Sequence, residues 1–334
     1  MKNFKPNDNF VYYLYWICER MNIFWKRKEG GVSPYSNDPI LNEYKFTNVY
    51  RCLDRASQYL LKDVIYNNKT YSKKDMFFRI LLFKHFNLPF TWKMLMEEFG
   101  DLTLDTGFDN ISNFLSIKQD EGHKIYSNAY MLTAWFMRNE KIMSKYNIKA
   151  GSKKHEAYMK IFETGIFGNG LIDDMIESES CEELFNKFES VISVGKFLAM
   201  QYSVDMGYSP LFNFKDDFII AGPGAEKGIL RTFDIEGKPD FAEIIKWVSE
   251  NFKDLIEQYS IKFDIPLLFR ELPNHPMQLI DIQNCFCETD KYLRGSGIET
   301  EGVKISGSRI KNYFVESKNK IDYVFPPKWN VIIK

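Results

Sequence analysis

The 334 residues suffice for one large domain or two modest ones, and at 45% apolar and 16% aromatic they can fill a sizeable core. Lys plus Arg number 44 against 45 Asp plus Glu, a net charge of -1, which excludes a protein that coats nucleic acid through bulk positive charge but leaves room for a local phosphate-binding patch. Five scattered cysteines (Cys18, Cys52, Cys181, Cys285, Cys287), a polar opening MKNFKPNDNF and the lack of any apolar run of membrane-spanning length point to a reduced, cytoplasmic protein with no membrane partner.

In chain order, NFVYYLYWICERMNIFWKRK reads as a buried helix with a basic end, and GGVSPYSNDP as a loop. ILNEYKFTNVYRCLDRASQYLLKDVI resumes helical spacing. On that helix Thr47, Arg51, Asp54, Arg55 and Gln58 share one side, and Val49, Leu53, Ala56 and Leu60 another. Helices follow at KKDMFFRILLFKHFN and at TWKMLMEEFG, the second closed by Gly100. Further ones are expected near NAYMLTAWFMRN, KHEAYMKIFE, SCEELFNKFESV, SVGKFLAMQYSVDM, FAEIIKWVSENFKDLIEQYSI and PMQLIDIQNCFCETDKYLRG. Only KIDYVFPPKWNVIIK at the end has room for a short strand or two. The expected fold is therefore all-α: one helical domain over 1–300, with a C-terminal extension of irregular or β character over 301–334 packed on it.

Metal chemistry finds little support. Cys285 and Cys287 form a C-x-C pair without partners at zinc spacing, and His85, His123, His155 and His275 are mutually isolated. No resident cofactor is expected. The basic clusters Lys26-Arg27-Lys28, Lys73-Lys74 and Lys153-Lys154-His155 read as solvated surface.

AGPGAEKGIL, residues 221–230, admits several readings. A Walker loop needs G-x-x-x-x-G-K-[ST], but Ile229 and Leu230 follow Gly228; a dinucleotide fingerprint needs G-x-G-x-x-G after a strand, but the spacing here is G-x-G-x-x-x-G among helices. A helix-hairpin-helix turn fits better, with Gly222, Gly224, Lys227 and Gly228 holding a DNA phosphate at a helix start. A glycine-rich helix start without a ligand fits as well. In the last helix, Asp281, Asn284, Glu288 and Lys291 fall at i, i+3, i+7 and i+10 on one face, while Ile282, Phe286 and Leu293 face elsewhere. Such a stripe is either a solvated side or a site. Asp281, in a hydrophobic-Asp-hydrophobic-polar element after the glycines, stands where helix-hairpin-helix glycosylases carry their catalytic aspartate.

CERMNIFWKRKEG, YSNDPILNEYKFTNVYRCLDRASQYL, FRILLFKHFN, VGKFLAMQYSVDMGY, AGPGAEKGI and IQNCFCETDKYLR together resemble one phage-linked family. It is the alpha-glutamyl/putrescinyl-thymine pyrophosphorylase family of DNA base hypermodification proteins, related to the helical domain of 5-hydroxymethyluracil DNA kinases. The resemblance runs from about Val11 to Arg294. Glu19, Arg20, Asp38, Asn48, Arg51, Asp54, Arg55, Gly222, Gly224, Glu288 and Lys291 match its motifs. PYSND lacks the tryptophan common before the aspartate, and Thr289 replaces a common aromatic.

The resemblance implies an all-helical relative of helix-hairpin-helix DNA glycosylases, working in a bacterial or phage-infected cell. It implies a transferase that displaces pyrophosphate from activated 5-hydroxymethyluracil in double-stranded DNA with an amine or amino acid, the base being flipped from the stack. A transient magnesium ion accompanying the pyrophosphate is compatible with this, as is a 5-hydroxymethyluracil DNA kinase as partner. The kinase relatives carry a separate P-loop domain, a sequence these 334 residues lack, which argues against kinase activity.

Such a reaction needs a base for the amine, for which Asp281 and Glu288 are candidates, and positive charge for the leaving group, for which Arg51, Arg55 and Lys291 are candidates. Asp54 completes the catalytic candidates; Glu19, Arg20, Asp38, Asn48 and Asn284 are candidates for holding substrate. Equally, Arg51, Asp54 and Arg55 could form a purely internal ion network, with Glu19 pairing Arg55. A glycosylase using Asp281 and a non-catalytic DNA-binding module stay open as alternatives.

Overall fold

A computed structural model describes residues 3–128, 132–298, 310, 312–316 and 322–333. It is mainly helical, as the sequence predicts. The chain groups into two compact units, one of residues 1–54 with 216–334, the other of residues 55–215. The boundary expected at 300/301 lies outside the described residues.

The first unit begins with strand β1 (Phe4–Pro6) and helices α1 (Phe10–Lys28) and α2 (Pro39–Glu43). The second unit holds α3 (Arg55–Tyr59), α4 (Lys73–Phe86), α5 (Pro89–Phe99), α6 (Phe108–Asp120), α7 (Glu140–Lys145), α8 (Lys154–Phe162), α9 (Leu171–Ile176), α10 (Cys181–Glu189) and α11 (Lys196–Gly207). The chain then returns to the first unit with α12 (Pro223–Thr232), strand β2 (Phe233–Ile235), α13 (Phe241–Phe263) and α14 (Leu279–Ser296). β1 and β2 pair antiparallel, Phe4 opposite Ile235 and Pro6 opposite Phe233.

In the first unit α14 is the central element, packed by α1, α2, α12 and α13. Its core is aromatic: Tyr13 stacks on Phe286 at 4.1 Å between centroids, and Phe233 meets Phe10, Phe286 and Trp247 edge-on. In the second unit Phe77 stacks on Phe188, and Phe78 meets Phe108 and Phe167. A buried ion pair, Lys84 to Asp205 at 2.8 Å, links α4 to α11 there.

The helix expected over residues 40–65 is not continuous. Asp38 caps α2 by accepting from Ile40 N (2.8 Å) and Leu41 N (3.1 Å), but α2 stops at Glu43. Residues 44–50 are non-helical, Arg51–Leu53 make one 3-10 turn, and helix resumes at Arg55, passing into a π-helical stretch over Leu60–Ile65. The shared face predicted for Thr47, Arg51, Asp54, Arg55 and Gln58 therefore does not form; Arg55 is exposed and starts the second unit. The cause is competition for main-chain donors. The N–H groups of Thr47 and Arg51 bond to carboxylates of α14 instead of to carbonyls one turn earlier.

Of the expected terminal strands, the described residues 322–333 show only the 3-10 turn Pro327–Trp329. Trp329 stacks on His275 at 4.1 Å, and residues 312–314 bond to residues 43–45 through Lys45 N to Asn312 O and Phe314 N to Glu43 O. The helix expected near 128–139 lies partly outside the described residues, and Trp135–Arg138 form a 3-10 turn.

Candidate functional site

The motif residues of the first unit converge where the loop of residues 46–54 runs antiparallel to α14. Glu288 Oε2 accepts from Thr47 N at 3.1 Å, and Asp281 Oδ1 accepts from Arg51 N at 2.7 Å. Midway, the Cys285 thiol points to Val49 O at 3.9 Å. Seven residues along α14 rise about 10.5 Å, within the reach of four loop residues. Helix side chains thus hold every second loop residue by its main chain, as a neighbouring strand would.

The intervening residues turn away. Asn48 accepts from Arg20 Nη2 at 3.1 Å through Oδ1 and donates from Nδ2 to Leu53 O at 2.8 Å. Asp54 Oδ1 accepts from Asn48 N (2.8 Å) and Nδ2 (3.3 Å), closing the loop on itself. The Tyr50 hydroxyl accepts from Leu272 N at 3.2 Å. From α1, Arg20 Nε also donates to Thr47 O at 3.0 Å. Lys291 donates to Glu288 Oε2 at 2.9 Å and lies 4.4 Å from the centre of the Phe46 ring. Thr47 Oγ1 is buried without a hydrogen-bond partner among the described residues.

These groups are strongly desolvated. Burial lowers the affinity of Arg20 for its proton, against the opposing pull of Asp54 and Glu288. Burial pushes the Asp54 carboxyl up to about 6 and that of Asp281 up to about 7, although backbone N–H bonds pull each down. A carboxyl raised in this way favours the protonated fold. Its stabilisation is complete below about pH 4 and is lost as pH rises through the folded value. Between those limits we expect the unfolding free energy of the native chain to fall with pH more steeply than that of Asp281→Asn, by on the order of 3 kcal/mol in total. Urea titrations at several pH values check this; parallel slopes would contradict it.

The remaining candidates fall as follows. Asp281 uses both oxygens on main chain, Oδ2 accepting from Gln278 N at 2.9 Å as the capping box of α14. Glu19 accepts from Ser36 Oγ at 2.5 Å and Asn22 Nδ2 at 3.3 Å, a different pairing from that expected with Arg55. Asp38 Oδ2 accepts from Tyr292 at 2.7 Å, joining α2 to α14. Asn284 is half-buried and makes no hydrogen bond among the described residues.

The glycines of residues 222–228 do not form a tight hairpin. α11 and α12 are separated by residues 208–222 and belong to different units. Gly222 is the N-cap of α12, and Pro223 is its first residue. Gly224 and Gly228, one turn apart, let α12 lie against α14: a Cβ at Gly224 would stand 2.4 Å from Cys287 Sγ, and one at Gly228 2.0 Å from Phe286 O. Lys227 is exposed.

Sequence reasoning missed the roles of Thr47, Cys285, Ser36 and the buried network in which Asp290 accepts from Arg231 Nε (2.8 Å) and Arg294 Nε (3.0 Å). The i, i+4 spacing of Asp290 and Arg294 was the one local signal for that network. A groove of about 510 Å³ beside Trp25, Phe269 and Arg270 includes none of Arg20, Asn48, Asp54, Glu288 or Lys291. The site therefore rests on convergent polar geometry and not on concavity. Among the described residues no cluster of His, Cys, Asp or Glu could hold a metal ion, and no helix is long and apolar enough to cross a membrane.

Comparison with known proteins gives this geometry a context. The family described as "5-hmdU DNA kinase, helical domain" matches residues 7–302. A 5-hmdU DNA kinase of Bacillus phage SP10 is 23% identical over 331 residues, covering 95% of this chain and 50% of that protein. The chain thus spans about half the length of the curated relative it matches. No solved structure matches it. With the family's pattern extending over nearly the whole chain, this protein belongs to the family of the 5-hmdU DNA kinase helical domain.

Proposed function

We propose that this chain modifies thymine-derived bases in DNA, exchanging the pyrophosphate of an activated 5-hydroxymethyluracil for an amine or amino acid. The family match over residues 7–302 carries the DNA-hypermodification context. The chemistry is supported by the convergence of Arg20, Lys291 and the Arg51 loop with the carboxyls of Asp54 and Glu288. Cations in a desolvated site suit a departing pyrophosphate, and carboxylates suit an incoming ammonium. A glycosylase driven by Asp281 fits less well, because both its oxygens already hold main chain.

A second reading, a helical module that presents DNA to a kinase, draws support from the half-length match to the phage kinase. Against phosphoryl transfer by these residues themselves, the 334 residues contain no G-x-x-x-x-G-K-[ST] run to cradle a nucleotide.

The test is release of pyrophosphate from DNA carrying pyrophosphorylated 5-hydroxymethyluracil, across a panel of amines. Amine-dependent release is expected, with Arg51→Lys slowing it about tenfold because a point charge cannot reproduce a bidentate guanidinium grip. Release with no amine dependence would count against transfer. The exposed Lys227 is proposed as a backbone phosphate contact. Lys227→Ala should weaken binding to all DNA sequences alike and reduce the salt slope by about one.

A further inference from the structure

Three carboxyls meet at this site, Asp54, Asp281 and Glu288, and their surroundings differ. Asp281 is buried, with one oxygen on Arg51 N and the other on Gln278 N. Glu288 is buried and uses Oε2 for both Thr47 N and the Lys291 ammonium, so its charge is already matched by a cation at 2.9 Å. Asp54 is half-buried. It uses only Oδ1, for the two Asn48 donors, and Oδ2 makes no hydrogen bond among the described residues. Asp54 also forms no direct ion pair there, while Arg20 sits one residue's bonding away, on Asn48 Oδ1.

A group that takes a proton needs a free lone pair, access and proton affinity near neutral pH. A carboxylate suited to holding a loop has both oxygens on main chain, as Asp281 has, or its charge already matched by a cation, as Glu288 has in Lys291. We propose that Asp54 is the proton acceptor of this site, and that Asp281 and Glu288 are positioning residues that fix the loop presenting it. This rests on the transfer reading above.

The step balances as follows. The incoming ammonium gives one proton to Asp54 Oδ2, and the freed lone pair forms a bond to the methylene carbon of the activated base. The carbon–oxygen bond to pyrophosphate breaks, and its electron pair leaves with the pyrophosphate. The groups whose charge bears on Asp54 are Arg20 from α1, Arg51 from its own loop and Glu288 from α14. The two arginines favour its ionised form, whereas Glu288 and burial favour the proton.

The experiment compares the full chain with Asp54→Asn, Asp281→Asn and Glu288→Gln. It measures kcat and KM for amine transfer against pH, and backbone amide exchange of residues 47–51. The native rate should show an acid limb near pH 6; Asp54→Asn should lose that limb and about 10²-fold in kcat, with KM for DNA unchanged. Its loop should stay protected in exchange. Glu288→Gln and Asp281→Asn should keep that acid limb and lose less rate, while exchange at 47–51 rises.

A native acid limb that survives in Asp54→Asn, or one that disappears in Glu288→Gln, would overturn the assignment while leaving transfer intact. A native chain that transfers no amine would overturn the transfer reading, and the proton step with it. Unchanged exchange at 47–51 in both α14 variants would overturn the positioning role whatever the activity.

Discussion

Gly228→Ala is expected to destabilise the first unit by about 3 kcal/mol, and Gly228→Val by more. In an ordinary helix interior the change to alanine gains about 1 kcal/mol of propensity. Here the new methyl would stand 2.0 Å from Phe286 O and 2.6 Å from Phe286 C. Those atoms are backbone of α14, which is itself held by the loop and by α1, so they cannot step aside as a side chain would. Steric exclusion therefore outweighs propensity and reverses the usual sign. Gly224→Ala should be milder, because its first obstacle at 2.4 Å is the Cys287 thiol, a side-chain atom. Lys227→Ala, on the exposed side, should leave stability unchanged. Urea midpoints, with hydrogen exchange over α12 and α14, give the ranking; Gly228→Ala at or above native stability would show that the helices are not in this contact.

The second large effect concerns Asp290. Its two oxygens bind Arg231 of α12 and Arg294 one turn along α14, and Arg231 is only 3% exposed. Asp290→Ala removes the carboxylate that bonds a guanidinium only 3% exposed, and removing one partner of such a buried ion pair costs about 3–5 kcal/mol. Asp290→Asn, which keeps an acceptor, should lose less. Combining Asp290→Leu with Arg231→Met should recover most of the loss, because the buried charge is removed together with its partner. Stability of the double variant no better than that of Asp290→Ala would mean that the pair contributes through specific geometry instead.

Much of the helical framework was legible locally. α1, α4, α5, α13 and α14 announce themselves by apolar spacing, and three of them by their ends: Asn87 of α4 and Asp264 of α13 in the left-handed region, and Gly100 closing α5. α6 carries Phe108, Ile111 and Leu115 at i, i+3 and i+7, but Gly107 at its start offers no side-chain cap to mark it. β1 and β2, at three residues each, are too short for an alternation to show.

The site was legible in its residue types and not in its geometry. Glu288, Lys291, Asn48, Asp54 and Arg20 do come together. A helical reading of residues 46–54 placed them on the wrong scaffold, because nothing within that segment reveals that its N–H groups are claimed by carboxylates more than two hundred residues away. By sequence, Asp281 reads as a reactive group because it follows the glycines in a hydrophobic-Asp-hydrophobic-polar element. Only the structure shows that both its oxygens are occupied. The glycines of α12 show the same ambiguity: a turn and a close helix contact need the same residue, for different reasons.

The most direct test of the proposed chemistry is mass spectrometry of nucleosides from DNA bearing pyrophosphorylated 5-hydroxymethyluracil, after incubation with the full chain and a panel of amines. The account predicts a new nucleoside with the mass of 5-hydroxymethyldeoxyuridine plus one of the amines minus water, formed without ATP. Abasic sites would point to a glycosylase and unchanged bases to a binding module. ATP-driven phosphorylation of hydroxymethylated DNA, with no adduct from any amine, would contradict the account in favour of a kinase.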